Sequence, residues 1–145
     1  PESKKISDLH QVREVLEPAV AALAAQNATP EDIEKMEVAI RIMEQNLSNG
    51  YRYIEGDKLF HIALAEATKN SVFTILLNSI VDLLQEARRL AISTPGAGER
   101  SSFYHRRILE AVRTRDAEEA LLAMTEHMVQ TERDTSVSLR SKSNP

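Results

Sequence analysis

Apolar residues recur every three or four positions along most of the chain, which is the spacing of amphipathic helices. Short polar breaks interrupt this pattern, and several of them contain a residue that caps helices, namely Thr29, Asn70 and Asp116. Thr29 is followed by Pro30 at the first helical position and by Asp32 at the place of a capping box. The pattern predicts six helices, over about residues 7–26, 30–48, 51–68, 71–91, 99–113 and 117–134.

Several connections between these helices are short, so neighbouring helices are expected to pack as antiparallel hairpins. The predicted fold is therefore all-α, an antiparallel bundle of about six helices. We interpret residues 1–6 as the remnant of an interdomain linker and residues 7–134 as the helical domain. The Ser-rich residues 135–145 are predicted to form a frayed tail.

The composition supports this fold and narrows the function. The 145 residues include only four Gly and five Pro, and 4% are aromatic, which favours helices over a sheet. The net charge of −4 argues against direct binding to duplex DNA, which selects basic surfaces. The absence of Cys excludes disulfides and thiolate metal ligands. The sequence contains no recognisable membrane span or signal peptide, so a cytoplasmic location is predicted.

Four polar residues stand where the helical pattern requires a core residue. Asp57 and His61 are four residues apart in the third helix and therefore lie on one face. His105 and His127 belong to the apolar stripes of the fifth and sixth helices. Both lie about 11 residues from the turn near Asp116, so in an antiparallel hairpin they reach the same height, about 16 Å from the turn. If the two hairpins face each other, the four side chains converge.

A convergent aspartate and three histidines indicate a metal site. A buried carboxylate and unpaired imidazoles are costly, and a divalent cation removes both costs. Imidazole nitrogens and carboxylate oxygens suit zinc, nickel, manganese or iron, and we favour zinc or nickel here. The residues alone leave a second interpretation open, in which each histidine is a hydrogen-bonded core or surface residue and no metal is bound.

Charged residues on the first and fourth helices allow two interpretations. Arg13 and Glu17 are four residues apart, which favours a solvated ion pair. The alternative is that Arg13 leans into the bundle and clamps a ligand carboxylate. Arg88 and Arg89 pose the same choice, with the solvated role favoured more strongly. His10, at the edge of the first helix's apolar stripe, is not expected to bind metal.

Three segments, spread over nearly the whole chain, resemble the FCD-type effector domain of GntR-family transcription regulators. The first is the opening helix, at residues 9–17 and 21–25. The second is Asp57-x-x-x-His61 followed by the cap Asn70. The third is the closing hairpin, with residues 105–112, Asp116, Ala120 and His127. Gly56 is a reservation, because a glycine just before Asp57 is expected to loosen the start of the third helix.

The resemblance implies an antiparallel bundle of six or seven helices with one central metal, bound by Asp57, His61, His105 and His127. It implies that a small organic acid or related metabolite binds beside the metal, and Arg13 matches a recurrent arginine that would contact this effector. It also implies a homodimer, and contact with DNA through a winged helix-turn-helix domain that these residues do not include.

We therefore predict the ligand-sensing and dimerisation domain of a bacterial transcription regulator, which is not an enzyme and responds to a small carboxylate metabolite. Two alternatives remain, a metal-dependent hydrolase-like enzyme and a plain helical dimerisation module. Against the first, the sequence has no H-E-x-x-H motif, and no histidine has a glutamate three residues before it, as a di-iron carboxylate bundle requires.

Overall fold

The computed structural model describes residues 2–144. Pro1 and Pro145, the outermost residues of the predicted linker and tail, lie outside the described residues. Within residues 2–144 the chain forms seven α-helices and no strand. The helices are α1 (Glu2–Asn27), α2 (Pro30–Glu44), α3 (Gly50–Ala67), α4 (Ser71–Val81), α5 (Gln85–Ser93), α6 (Ala97–Arg113) and α7 (Ala117–Ser143). In the part of the chain described, no helix is both long and apolar enough to cross a membrane.

The helices pack as an antiparallel bundle around one main core. Helix α1 lies along α7, so that Ile6 near the start of α1 and Leu139 near the end of α7 join the same apolar cluster. The pairs α2–α3 and α6–α7 are hairpins, and α1, α2, α3, α6 and α7 contribute most of the main core, which contains Phe60, Ile108 and Met124. The predicted all-α antiparallel bundle is confirmed.

The predicted helix caps are present, each at a turn that joins two helices. The Thr29 hydroxyl accepts a hydrogen bond from the Asp32 amide at 3.2 Å, and the Asp32 carboxylate accepts one from the Thr29 amide at 2.8 Å. This is the reciprocal pair of a capping box. Asn70 caps α4 by accepting from the amide of Val72, and Asp116 caps α7 in the same way. Each of these bonds satisfies an amide that a helix start leaves unpaired.

The predicted fourth helix is divided into α4 and α5 at residues 82–84. The Leu84 amide bonds to the carbonyls of Ile80 and Val81, and the Gln85 amide bonds to Asp82, which tightens the backbone at this point. The division lets α4 pack on α3 while α5 packs on both α3 and α7. No Pro or Gly lies at the bend, and the apolar pattern continues through it. The sequence pattern therefore predicts one helix where the structure has two.

The residues predicted as a frayed tail are helical up to Ser143. Thr135 and Ser138 are buried, and their side-chain hydroxyls both form hydrogen bonds. The Thr135 hydroxyl donates to the Thr131 carbonyl at 2.9 Å, and the Ser138 hydroxyl lies 2.9 Å from that of Ser93 in α5. Residues 2–6 likewise form the first turn of α1. A Ser-rich composition indicates fraying, but here the buried hydroxyls of Thr135 and Ser138 form hydrogen bonds and the helix continues.

Gly56 permits the close approach of α2 and α3. A Cβ atom at this position would lie 2.8 Å from Met43 Cγ and 3.0 Å from the Ala39 carbonyl oxygen. The second neighbour is backbone and cannot rotate away. The glycine expected to loosen α3 therefore allows the helix that carries Asp57 to pack tightly on α2.

Replacing Gly56 with Ala should lower the free energy of unfolding by about 1–2 kcal/mol, because overpacking outweighs the gain in helix propensity. Gly50→Ala is the matched control, since its added Cβ would meet Ile92 at an ordinary 3.7 Å. Urea denaturation of both variants measures the difference. Equal or greater stability of Gly56→Ala would show that the helices accommodate a methyl group there.

Candidate metal centre

The four predicted ligands converge in the middle of the bundle. Asp57 and His61 come from α3, His105 from α6 and His127 from α7, and all four are buried. One donor atom from each lies within 4.8 Å of the others. The imidazole rings of His105 and His127 are 4.6 Å apart between centroids, as expected for residues at equal heights on an antiparallel hairpin.

Hydrogen bonds on the outer side of two rings define which nitrogen faces inward. His61 Nδ1 contacts Glu17 Oε1, and His127 Nδ1 lies 3.0 Å from Gln130 Oε1. Both oxygens are acceptors, so each Nδ1 carries a hydrogen, and Nε2 keeps its lone pair whenever the ring is neutral. His105 Nε2 lies 3.2 Å from Asp57 Oδ1. The Nε2 atoms of His61 and His105 are buried and find no hydrogen-bond partner within residues 2–144.

The two oxygens of Asp57 have different partners. Oδ2 accepts a hydrogen bond from Arg88 Nε, whereas Oδ1 faces the imidazoles, 3.4 Å from His61 Nε2. Burial alone would raise the pKa of Asp57, but His61 and Arg88 hold it well below its ordinary value. Asp57 therefore remains an ionised carboxylate with one oxygen directed at the centre of the cluster.

The imidazoles differ in charge. Burial lowers the pKa of His105, and burial together with the neighbouring histidines lowers that of His127 well below its ordinary value. Burial also acts to lower the pKa of His61, but the carboxylates of Glu17 and Asp57 raise it above its ordinary value. The cluster thus contains two neutral imidazoles and a position between two carboxylates that stabilises positive charge.

The donor set fits a divalent metal ion. Three imidazole nitrogens and one carboxylate oxygen are ligands for zinc, nickel and manganese. Such an ion would coordinate the Nε2 atoms of His61 and His105, which are buried and lack a well-aligned hydrogen bond. Metal-binding histidines usually donate their other ring hydrogen to an acceptor, as His61 and His127 do here. The cluster can therefore hold a metal, and which ion binds stays a prediction.

A small cavity adjoins the cluster. Its volume is about 30 Å³, and it is lined by residues that include Arg13, Tyr53, Arg88, Ser101, His127 and Thr131. We call it the arginine cavity. The two arginines come from α1 and α5, the helices that flank α7 on this side of the bundle. Arg88 Nη2 is buried and unpaired among the described residues.

The interpretation of Arg13 and Glu17 as a solvated pair is wrong. Both side chains are 2% exposed, and Arg13 Nε donates to Glu17 Oε2 inside the bundle. Burial would raise the pKa of Glu17, but Arg13 and His61 lower it. Arg88, for which a solvated role was favoured even more strongly, is also buried. Arg13 lies beside the metal cluster as the alternative interpretation required, and its contact with an effector stays a prediction.

Three further residues contact the cluster: Glu17 and Arg88, for which the sequence favoured solvated roles, and Gln130, which sequence reasoning missed. Glu17 and Arg88 bond to His61 and Asp57, and Gln130 bonds to His127. Each lies at helical spacing from a core residue, and Gln130 follows His127 by three positions on the same face. That spacing was a signal, but charged and amide side chains are mostly exposed. His10 is buried in a separate cavity between α1 and α7, where burial lowers its pKa to about 4.

The sequence matches known proteins over most of its length. Residues 8–130 match the FCD domain. The HTH-type transcriptional regulator LutR of Bacillus subtilis is 32% identical over 132 residues, which cover 88% of this chain and 60% of LutR. The Uxu operon transcriptional regulator of Escherichia coli is 33% identical, over 83% of this chain and 50% of that protein. The HTH-type transcriptional repressor NanR of Cronobacter sakazakii is 30% identical, over 85% of this chain and 48% of NanR.

Solved structures share the fold. The Streptococcus agalactiae GntR structure superposes with a TM-score of 0.77 at 26% identity, covering 90% of this chain and 59% of that one. The Escherichia coli McbR/YncC structure superposes with a TM-score of 0.76 at 16% identity, covering 94% of this chain and 65% of that one. At this identity it supports the fold alone.

The chain spans about half to three fifths of the length of the curated relatives named above. These relatives are transcription regulators and not enzymes, which confirms the prediction of a non-enzymatic domain. The profile match covers more than four fifths of the sequence and agrees with the seven-helix bundle. The chain is an FCD domain and belongs to the GntR family of transcription regulators.

Proposed function

We propose that this FCD domain binds one divalent metal ion through Asp57, His61, His105 and His127, and senses a small carboxylate metabolite beside it. The observation that supports this most strongly is that the Nε2 atoms of His61 and His105 are buried without a well-aligned hydrogen bond and lie 3.4 and 3.2 Å from the ionised Asp57 carboxylate. Each buried polar atom left unpaired costs about 1–3 kcal/mol. A cation at the cluster satisfies them together, and zinc or nickel suits the donor set best.

The arginine cavity is the proposed site of the effector. A bound metal supplies a Lewis-acidic position that attracts a carboxylate oxygen. Arg88 Nη2, unpaired within residues 2–144, and the Arg13 guanidinium supply a cationic wall on the other side. A cavity of about 30 Å³ has room for about one or two water molecules. An acid of several carbons therefore requires the helices to move, and this movement is the proposed signal.

Contact with DNA is assigned to residues outside this chain. Regulators of this family bind small-molecule effectors and DNA. The net charge of −4 does not favour DNA binding by the bundle itself. We propose that a winged helix-turn-helix domain of the intact regulator reads the effector-induced change, and the cytoplasmic location stays a prediction.

A hydrolytic role is less well supported by the same geometry. Metal-dependent hydrolysis needs a general base close to the bound water. The carboxylates that adjoin the cluster are Asp57 and Glu17, and each is bonded to an arginine, with its pKa below the ordinary value. Neither is placed to accept a proton at neutral pH.

The α4 helix offers a surface for the predicted homodimer. It packs chiefly on α3, and several large apolar side chains on α4 and the following turn are exposed. They are Val72, Ile75, Leu76 and Leu83. We propose that two copies of the domain bury this α4 face against each other, which would remove the apolar surface from water.

Removing one ligand should abolish metal binding. We expect His127→Ala to lower metal affinity by more than the roughly 10–100-fold that loss of an outer hydrogen-bond partner costs. His10→Ala is the matched control, because His10 is also buried but lies outside the cluster. Mass spectrometry on untagged protein should find about one metal per chain in the wild type and the control, and none in His127→Ala. Equal metal content in all three proteins would contradict the site.

Arg88→Lys should separate effector binding from metal binding. The lysine keeps a positive charge for Asp57 but lacks the second guanidinium nitrogen. We expect metal content to persist and the rise in Tm with acetate or succinate to disappear. Arg89→Lys is the control, since Arg89 is exposed and pairs with Glu86. A carboxylate response that survives in Arg88→Lys would exclude Arg88 from the effector site.

Ile75→Glu should weaken the dimer by placing a charge on its apolar face. Phe103→Glu is the matched control, because Ile75 and Phe103 are equally exposed, at 62%, and Phe103 lies on α6. Analytical ultracentrifugation should show monomers for Ile75→Glu and dimers for the control. Dimers in both would place the interface elsewhere.

A further inference from the structure

Glu17 is buried next to the cluster but is not one of its four predicted ligands. It lies on α1, is 2% exposed, and uses its two oxygens separately. Oε2 accepts a hydrogen bond from Arg13 Nε, and Oε1 contacts His61 Nδ1. The carboxylate is thus fixed on one side by Arg13 and directed on the other at a predicted metal ligand.

The contact with Glu17 selects one tautomer of His61. An ionised carboxylate only accepts hydrogen bonds, so the hydrogen between the two groups belongs to His61 Nδ1. A neutral imidazole protonated at Nδ1 carries its lone pair on Nε2. His61 Nε2 faces the cluster, 3.4 Å from Asp57 Oδ1, and has no hydrogen-bond partner in the described part of the chain.

Stability alone does not account for a buried Arg13–Glu17 pair. Taking both charges out of water costs several kcal/mol per ion, and well-packed apolar residues of similar volume often replace such a pair without loss. What apolar residues cannot supply is an acceptor for His61 Nδ1. Arg13 keeps Glu17 ionised and holds its oxygens in place for that contact.

The other two histidines lack an equivalent carboxylate. His127 Nδ1 meets the neutral amide of Gln130, and His105 Nδ1 has no partner among residues 2–144. A charged acceptor makes a shorter and stronger hydrogen bond than a neutral one. His61 is therefore the ligand whose orientation the surrounding chain defines most firmly.

We propose that Glu17 is a positioning residue for the metal site, which holds His61 protonated at Nδ1 so that Nε2 is presented to the metal. Arg13 acts through Glu17, in addition to its place in the arginine cavity. The inference rests on the proposed metal site, and the experiments below separate failure of one from failure of the other.

The first experiment uses the wild-type protein. In the zinc-loaded domain, nitrogen-15 NMR of the imidazoles should show His61 with a slowly exchanging Nδ1 hydrogen, shifted downfield by its carboxylate acceptor, and with zinc on Nε2. Zinc on His61 Nδ1, or no hydrogen there, would overturn the proposal for Glu17. Failure of the wild type to bind zinc would instead overturn the metal site itself.

The second experiment compares Glu17→Gln with Glu14→Gln, an exposed glutamate on the same helix. Chelator competition should show zinc affinity about 10–100-fold lower in Glu17→Gln, with the His61 Nδ1 hydrogen shifted upfield. The control should match the wild type in both measurements. Unchanged affinity and an unchanged resonance in Glu17→Gln would reduce Glu17 to an ion-pair partner of Arg13.

A double variant removes the one competing explanation. Glu17→Gln leaves Arg13 as an unpaired charge that itself repels a cation. The double variant Arg13→Gln, Glu17→Gln has no such charge, and we expect its zinc affinity to remain low. Recovery of wild-type affinity would show that the loss came from Arg13 and would overturn the positioning role.

Discussion

The buried carboxylate of Asp57 is the group to which the rest of the bundle must adapt. One of its oxygens faces imidazole nitrogens of His61 and His105, and the other accepts a hydrogen bond from Arg88. An ion inside a helical core persists only when neighbouring groups compensate its charge. Here the compensating groups come from α3, α5 and α6, and His127 on α7 completes the cluster. The packing of four helices is therefore tied to one charged centre.

This dependence supports the proposed sensing of a ligand beside the cluster. Helices α1 and α5 provide Arg13 and Arg88, which line the cavity and also bond to Glu17 beside the cluster and to Asp57 within it. In the proposed mechanism, a carboxylate in the cavity would compete with Asp57 and Glu17 for these guanidinium groups. Such competition would change the contacts of two helices, and a difference in contacts between two states is what sensing requires.

Much of the fold could be predicted because it rests on local periodicity, whereas the convergence of all four side chains was implied only by the family resemblance. The i, i+4 spacing of Asp57 and His61 and the equal heights of His105 and His127 follow from helix geometry alone. The outer residues could not be assigned in the same way. Whether Glu17 faces solvent or the core depends on the helix packed against it, which no local pattern specifies. The bend near Leu84 could not be predicted for a similar reason, because tertiary packing, and not a Pro or Gly, divides α4 from α5.

The central claim, that the Asp57 cluster is a metal site, is tested most directly by anomalous X-ray diffraction from crystals of untagged protein grown without chelator. The account predicts one anomalous peak per chain, about 2.0–2.2 Å from Asp57 Oδ1 and from the three histidine Nε2 atoms. Maps without a peak at this position, from crystals grown with zinc or nickel present, would contradict it. The histidines would then be ordinary core residues, and the proposal of metal-assisted sensing would be wrong.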